Sequence, residues 1–346
     1  MQSIRKEFII RVDVNATIGA GHLMRCIALG QALKTQNCEV IFITACTSKD
    51  LHQRLRDEEF RVVTLAHPYP DPLDWQMTSK VLQSSPDTWV MLDGYHFDAA
   101  YQRQIKAGGH RLLVIDDMAH LGQYCCDILL NQNINAEKLH YSSEANTRFL
   151  LGPRYILLRT EFLNWINFKR EFPKTSGKIL ITLGGGDSDN RTLQVIRAMQ
   201  NLALKKFEAV VVVGPANPHA QILDSEAKHS NFPIQLIHNA RNMPELMAWA
   251  DMAISAGGST CWELLFMGVP TLVTVTAENQ QVNAEGLKEA GAAVILGQHY
   301  NLSATKINRA VKKLATAADT RIQMSQRGHN LVDGRGVERV LREVMT

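Results

Sequence analysis

Thr17-Ile18-Gly19-Ala20-Gly21-His22-Leu23-Met24-Arg25 follows a short apolar run, residues 8–12, and leads into a segment with Leu23, Ile27, Gly30 and Leu33 on one side. A strand, a glycine-rich turn and a helix start form the first half of a βαβ unit, so this stretch sets an α/β reading for the chain. It also places a histidine where the backbone is bare and unpaired N–H groups point outward. A neutral imidazole at the positive end of a helix is suited to act as a general base. The other reading of His22 is a residue that packs or caps at a tight turn.

Working outward, apolar runs recur at 40–44, 61–65, 89–92, 112–115 and 128–130, with helical stretches between most of them, such as 49–59 and 98–107. That rhythm predicts βαβ units and a parallel sheet. The texture changes after about residue 155, and Pro173, Thr175, Ser176 and Gly177 read as a connector. A second alternation follows, with strands at 178–183, 209–213, 234–237, 252–255 and 271–275. The expected domains are 1–165 and 176–330, closed by a C-terminal helical segment, 331–346. Two such halves bind ligands at the carboxyl ends of their strands, which predicts Rossmann-like domains facing across a cleft.

Composition bounds the function. The chain has 346 residues, 45% hydrophobic and 21% charged, with a net charge of +3. That is an ordinary globular balance, and the charge is too small to argue for a nucleic-acid or membrane-surface partner. No apolar run is long enough to span a bilayer, and Arg5, Lys6, Glu7, Arg11 and Asp13 around one short strand do not read as a signal peptide. The six cysteines, 26, 38, 46, 125, 126 and 261, contain no C-x-x-C pair. They suit neither a disulfide framework nor a zinc site, and the expected setting is a reducing cytoplasm.

Several strand ends in the second half are glycine-rich. Gly184-Gly185-Gly186 precedes Asp187, and Gly257-Gly258 precedes Ser259-Thr260. Such turns let a backbone approach phosphates closely, and are also plain turns in many proteins. Neither is a P-loop, and Gly19-Ala20-Gly21 does not continue to the third glycine of a dinucleotide fingerprint. Thr260 and Glu263 have the spacing of a capping box; alternatively, the Glu263 carboxylate accepts both hydroxyls of a ribose. Asp187-Ser188-Asp189 has the form of a metal site, but its position at a helix start favours N-capping.

Taken together and in order, these motifs resemble the PseG family, which is similar to the MurG-type group of GT-B glycosyltransferases. The resemblance is carried by Arg11-x-Asp13, Ile18-Gly19-x-Gly21-His22-x-x-Arg25, Asp93-x-Tyr95-x-x-Asp98 and Ile115-Asp116-Asp117. It continues through residues 126–133, Gly152-x-x-Tyr155-x-x-Leu158-Arg159-x-Glu161-Phe162, Gly184-Gly185-Gly186-Asp187, residues 255–260 with Glu263, Glu278-Asn279-Gln280 and Asp333-Gly334-x-Gly336. Gly94 and His96 depart from the pattern in the loop that should line the sugar side.

The resemblance implies a GT-B-like fold and a hydrolase of pseudaminic acid biosynthesis. Its substrate would be UDP-2,4-diacetamido-2,4,6-trideoxy-β-L-altropyranose, its acceptor water, with inversion at the anomeric carbon and neither metal nor cofactor. By position His22 would be the general base, with Asp13 orienting its other nitrogen and Tyr95 and Asn279 completing the catalytic set. Gly19, Gly21, Arg25, Gly185, Gly186, Asp187, Gly258, Ser259, Thr260, Glu263 and Gln280 would bind the UDP-sugar. The alternatives are a GT-B transferase using a UDP-sugar donor, a hydrolysing UDP-sugar 2-epimerase, and a non-catalytic nucleotide-sugar binding protein. Neither nucleic acid nor membrane is an expected partner, and the sequence leaves the oligomeric state open.

Overall fold

The computed structural model describes residues 6–15, 20–202, 204, 206–298 and 302–346. Thr17, Ile18 and Gly19, from the stretch that set the α/β reading, lie outside the described residues. The chain divides into two compact units, Met1–Thr160 with Arg335–Thr346, and Glu161–Gly334.

The first unit runs β1 (Glu7–Val12), α1 (Gly21–Thr35), β2 (Glu39–Thr44), α2 (Lys49–Asp57), β3 (Arg61–Thr64), α3 (Pro72–Gln83) and β4 (Trp89–Asp93). It continues through α4 (Ala99–Ala107), β5 (Arg111–Ile115), β6 (Ile128–Asn131) and β7 (Arg148–Leu151). Its seven strands are all parallel, in the order β3-β2-β1-β4-β5-β6-β7. Side chains alternate between faces along a strand, so Phe8, Ile10 and Val12 of β1 join one core with Leu23, Ile27 and Leu33 of α1. Ile9 faces the other way, into a second core with Tyr101 and Ile105 of α4. Helices start where the sequence supplies caps: Ser48, Asp71 and Asp98 accept from Leu51, Leu73 and Tyr101 N–H groups. α1 has no such cap, because Ala20 at its N-cap provides no side-chain bond.

A short helix, α5 (Thr160–Leu163), lies at the division. The second unit then runs β8 (Lys178–Thr182), α6 (Arg191–Met199), β9 (Glu208–Val213), α7 (Ala220–Lys228), β10 (Ile234–His238) and α8 (Met243–Trp249). It continues with β11 (Met252–Ala256), α9 (Thr260–Phe266), β12 (Thr271–Val275), α10 (Gln281–Glu289), β13 (Ala293–Gln298), α11 (Ala304–Thr316) and α12 (Ala318–Leu331). The six strands are parallel, in the order β10-β9-β8-β11-β12-β13. The last helix, α13 (Gly336–Met345), returns to the first unit and inserts Val337, Val340 and Val344 into the core beneath α1. Gly336 permits this return, since a Cβ there would stand 2.1 Å from the Ile156 carbonyl oxygen.

Two Rossmann-like parallel-sheet domains are therefore present, as the alternation predicts. Each sheet reverses its strand order once, between β1 and β4 in the first unit and between β8 and β11 in the second. Those reversals open crevices at the carboxyl ends of the strands, which is where such folds take ligands. The first division falls at Thr160, slightly ahead of the expected 165. All six cysteines are free and buried. Burial pushes the Cys126 and Cys261 thiols up to about 12, so neither is a nucleophile at neutral pH. Among the described residues no helix is long and apolar enough to cross a membrane.

Candidate active site

The crevice between β1 and β4 holds a linked set of polar side chains. His22 sits in the first turn of α1, and its Nδ1 lies 2.6 Å from Oδ1 of Asp93, the last residue of β4. Arg25, one turn on, donates Nε to Asp93 Oδ2 at 2.7 Å and Nη2 to Asp93 Oδ1 at 2.7 Å. Its Nη1 reaches both oxygens of Asp117 at 2.9 Å. Asp117 also accepts from Asn133 Nδ2 at 2.5 Å and from the Tyr95 hydroxyl. The Tyr95 ring stands edge-on to His22, centroids 5.0 Å apart.

The electrostatics follow from burial. Removal from water alone would raise the Asp93 carboxyl and lower Arg25. Asp117 and then Asp93 reverse this for Arg25, and Arg25 and then His22 reverse it for Asp93, so Asp93 is held well below the carboxylate range and Arg25 well above its ordinary value. Nδ1 also lies 3.0 Å from Arg25 Nη2, but that donor is already given to Asp93 Oδ1 at 2.7 Å; Asp93 is the nearer neighbour of Nδ1 and an acceptor only, which assigns the proton of the neutral imidazole to Nδ1. The lone pair is then on Nε2, which has no hydrogen-bond partner among the described residues. Excess negative charge is also at hand, since one guanidinium serves two carboxylates. The arrangement can accept a proton at Nε2 and hold the resulting imidazolium.

Asp13 does not orient His22, as had been expected; Asp93 has that place. Asp13 Oδ1 accepts from Arg11 Nη1 at 2.5 Å and Ala45 N at 2.6 Å, and Oδ2 from Arg11 Nη2 and His96 Nε2 at 2.8 Å. Every lone-pair direction is taken, so the carboxylate has nothing left for the imidazole. Arg11 also pairs with Asp74 and stacks over Phe97, 4.9 Å from the ring centroid. Burial would raise Asp13, but the bonds from His96, Arg11 and Ala45 bring it down to about 2. Arg25 is likewise not a substrate ligand: it is 6% exposed and its guanidinium is spent on Asp93 and Asp117. It is a positioning residue. Gly21 opens α1, beside its uncapped N-terminus.

In the second unit the expected UDP-binding residues lie at the carboxyl ends of β8, β11 and β12, and the structure corrects Asp187 among them. Asp187 does not face outward to a diphosphate: its two oxygens accept from Arg191 N at 2.7 Å and Thr192 N at 2.9 Å, capping α6. A carboxylate seated there would repel a phosphate rather than bind it. Its neighbour Asp189 is paired with Arg191. Gln280 has its carboxamide oxygen occupied by Gly257 N at 3.1 Å, Thr276 N at 3.0 Å and Thr276 Oγ1 at 3.1 Å. It braces the turn after β11 to the turn after β12. The capping box is also absent, since Ser259 is the N-cap of α9, makes no side-chain cap bond, and leaves Thr260 inside the helix.

The remaining residues line the strand ends. Gly185 and Gly186 lie in the turn after β8, and Gly185 is pressed against Gly214, where a Cβ would stand 2.5 Å from it. Gly258 and Ser259 form the turn after β11, half-buried Glu263 lies on the first turns of α9, and Asn279 lies in the turn after β12. Asp93, Asp117 and Asn133 were quoted among the motifs without a role. Their signal is position, because buried acidic or amide residues beyond the ends of apolar strands must find polar partners.

Comparison with known proteins follows this geometry. Residues 179–335 match the glycosyltransferase family 28 C-terminal domain. An uncharacterized protein of Methanocaldococcus jannaschii is 27% identical over 280 residues, covering 79% of this chain; the chain spans 56% of that relative's length. Spore coat polysaccharide biosynthesis protein SpsG of Bacillus subtilis is 25% identical over 327 residues, covering 93% of each chain. A Helicobacter pylori protein named pseudaminic acid cytidylyltransferase and UDP-2,4-diacetamido-2,4,6-trideoxy-beta-L-altropyranose hydrolase is 25% identical over 206 residues, 59% of this chain and 37% of its own. The crystal structure of Acinetobacter baumannii MurG superimposes with a TM-score of 0.68 at 16% identity, covering 98% of this chain and 99% of its own. The chain has the GT-B fold.

Proposed function

We propose that this protein hydrolyses a UDP-sugar to UDP and the free sugar, with His22 as general base on the attacking water. The observation that carries the reading is His22 fixed through Nδ1 on Asp93 with Nε2 left unpartnered among the described residues, at the switch point of the first sheet. Water gives its proton to Nε2 as its oxygen bonds to the anomeric carbon. The bond from that carbon to the β-phosphate oxygen breaks, and its electron pair leaves with UDP. UDP is a good leaving group, so an aimed nucleophile and a stabilised diphosphate account for the needed catalysis. Attack opposite UDP inverts the anomeric centre.

In the same reading the backbone at Gly185, Gly186 and Gly258, with Ser259 and Thr260, faces the diphosphate. Glu263 accepts the ribose hydroxyls, Asn279 sits beside the sugar or pyrophosphate, and Tyr95 steadies the imidazole. UDP-2,4-diacetamido-2,4,6-trideoxy-β-L-altropyranose is the first substrate to test, supported by the motif resemblance and by the name of the Helicobacter pylori relative. A sugar transferase is the second reading, favoured by the family 28 match over 179–335. Product analysis by NMR with a panel of UDP-sugars decides between them. Free sugar appearing with UDP in the absence of an acceptor supports hydrolysis. Turnover only when an acceptor is added supports transfer, and an altered configuration at C2 supports epimerisation.

A further inference from the structure

The crevice between β1 and β4 contains a second cluster built like the first. Arg25 lies between Asp93 and Asp117, with His22 on Asp93; Arg11 lies between Asp13 and Asp74, with His96 on Asp13. The two histidine pairs cross. Val12 and Asp93 are register partners, so Asp13 and Asp93 end adjacent strands. His22 follows β1 yet binds the end of β4, while His96 follows β4 yet binds the residue after β1.

His96 is held as a presented group, not a buried brace. The Arg11, Asp13 and Asp74 side chains are sealed at 0% exposure, whereas that of His96 is 21% exposed. Its Nε2–H donates to Asp13, which leaves the Nδ1 lone pair without a partner among the described residues. Phe97 covers one face of the ring, centroids 4.0 Å apart. The Cε1–Nδ1 edge lies across Gly94, where a Cβ would stand 2.6 Å from Cε1 and 3.0 Å from Nδ1. One nitrogen is anchored, the ring is clamped, and the other nitrogen is a fixed acceptor at the same pair of strand ends that holds His22.

We propose that His96 Nδ1 accepts a hydrogen bond from a hydroxyl or acylamino N–H of the sugar, making His96 a specificity-determining residue. This rests on the UDP-sugar reading and adds to it which side chain reads the sugar. A site built to hydrogen-bond a substrate group discriminates strongly against analogues lacking it, because its own polar atom is then left unpaired.

Calorimetric titration tests this without turnover, using the full chain with His22→Ala and the same chain with His96→Phe added. The ligands are UDP, UDP-N-acetylglucosamine and UDP-2,4-diacetamido-2,4,6-trideoxy-β-L-altropyranose. The expected result is an unchanged Kd for UDP and about a tenfold loss for the best-bound UDP-sugar, with discrimination between the two sugars reduced. If His96→Phe does not fold, His96→Lys, whose ammonium can still donate to Asp13 but offers no acceptor, is titrated instead and shows the same selective loss. Equal weakening of UDP and UDP-sugars, or no change for either, overturns the role of His96 and leaves the hydrolase reading standing. Failure of the His22→Ala protein to bind any of the three ligands overturns both.

Discussion

His22 Nδ1 and Asp93 Oδ1 stand 2.6 Å apart across 71 residues of sequence. That bond ties the segment after β1 to the end of β4 and fixes which ring nitrogen is free. Asp93→Asn removes the acceptor that selects the tautomer. Turnover falls by roughly 10²–10⁴-fold, as for loss of a general base, while UDP affinity changes little. Initial-rate assays of UDP release beside a UDP titration check this, and wild-type turnover in the variant would remove the pair from the mechanism.

Arg25→Met leaves Asp93 and Asp117 buried without their shared cation. Breaking a buried pair in this way costs about 3–5 kcal/mol, so the expected result is a large fall in melting temperature in the absence of any ligand. A direct substrate ligand would instead lose affinity at unchanged stability.

Asp13→Asn reads the second cluster through its acid dependence. The folded-state value of Asp13 is depressed to about 2, so its contribution is complete above the unfolded carboxylate value near 3.9 and is lost as pH falls through about 2. The wild-type advantage over Asp13→Asn should therefore be full between pH 5 and 7, about 3 kcal/mol by analogy with other buried pairs, and shrink toward pH 2. Urea denaturation across that range measures it. A difference that grows on acidification contradicts the assignment.

Glu263→Ala should weaken UDP binding by about tenfold, and Glu263→Gln, which keeps the side chain's size and one carbonyl acceptor, by less. A loss of stability at constant UDP affinity would return Glu263 to the helix.

Asp187→Ala removes two bonds to the N-terminus of α6 and should cost about 1–2 kcal/mol of stability. Chelation should leave turnover of the wild-type protein unchanged. Inhibition reversed by a divalent cation would make Asp187 and Asp189 ligands after all.

Much of this architecture was legible in the residues. The continuous apolar runs located most strands, and helices expected at 49–59 and 98–107 form as α2 and α4. The strand β7 was not anticipated, since Arg148 and Phe149 are exposed and only four residues pair at the sheet edge. The capping role of Asp187 followed from its place before a helix. The partner of His22 did not, because β1 and β4 are neighbours in space without being consecutive in sequence, and no local pattern distinguishes Asp93 from Asp13. Charge inside β1 was the unused clue: Arg11 in an interior strand of a buried sheet requires carboxylates around it.

The return of α13 ties the assembly of the first unit to the order of synthesis. Val337, Val340 and Val344 leave the ribosome after the whole of the second unit, yet they seal the apolar floor under the helix that bears His22. The second unit emerges whole while the first still has that floor uncovered. A chain stopped before residue 335 would carry the polar cluster of His22, Arg25, Asp93 and Asp117 and lack the hydrophobic wedge on which its helix rests.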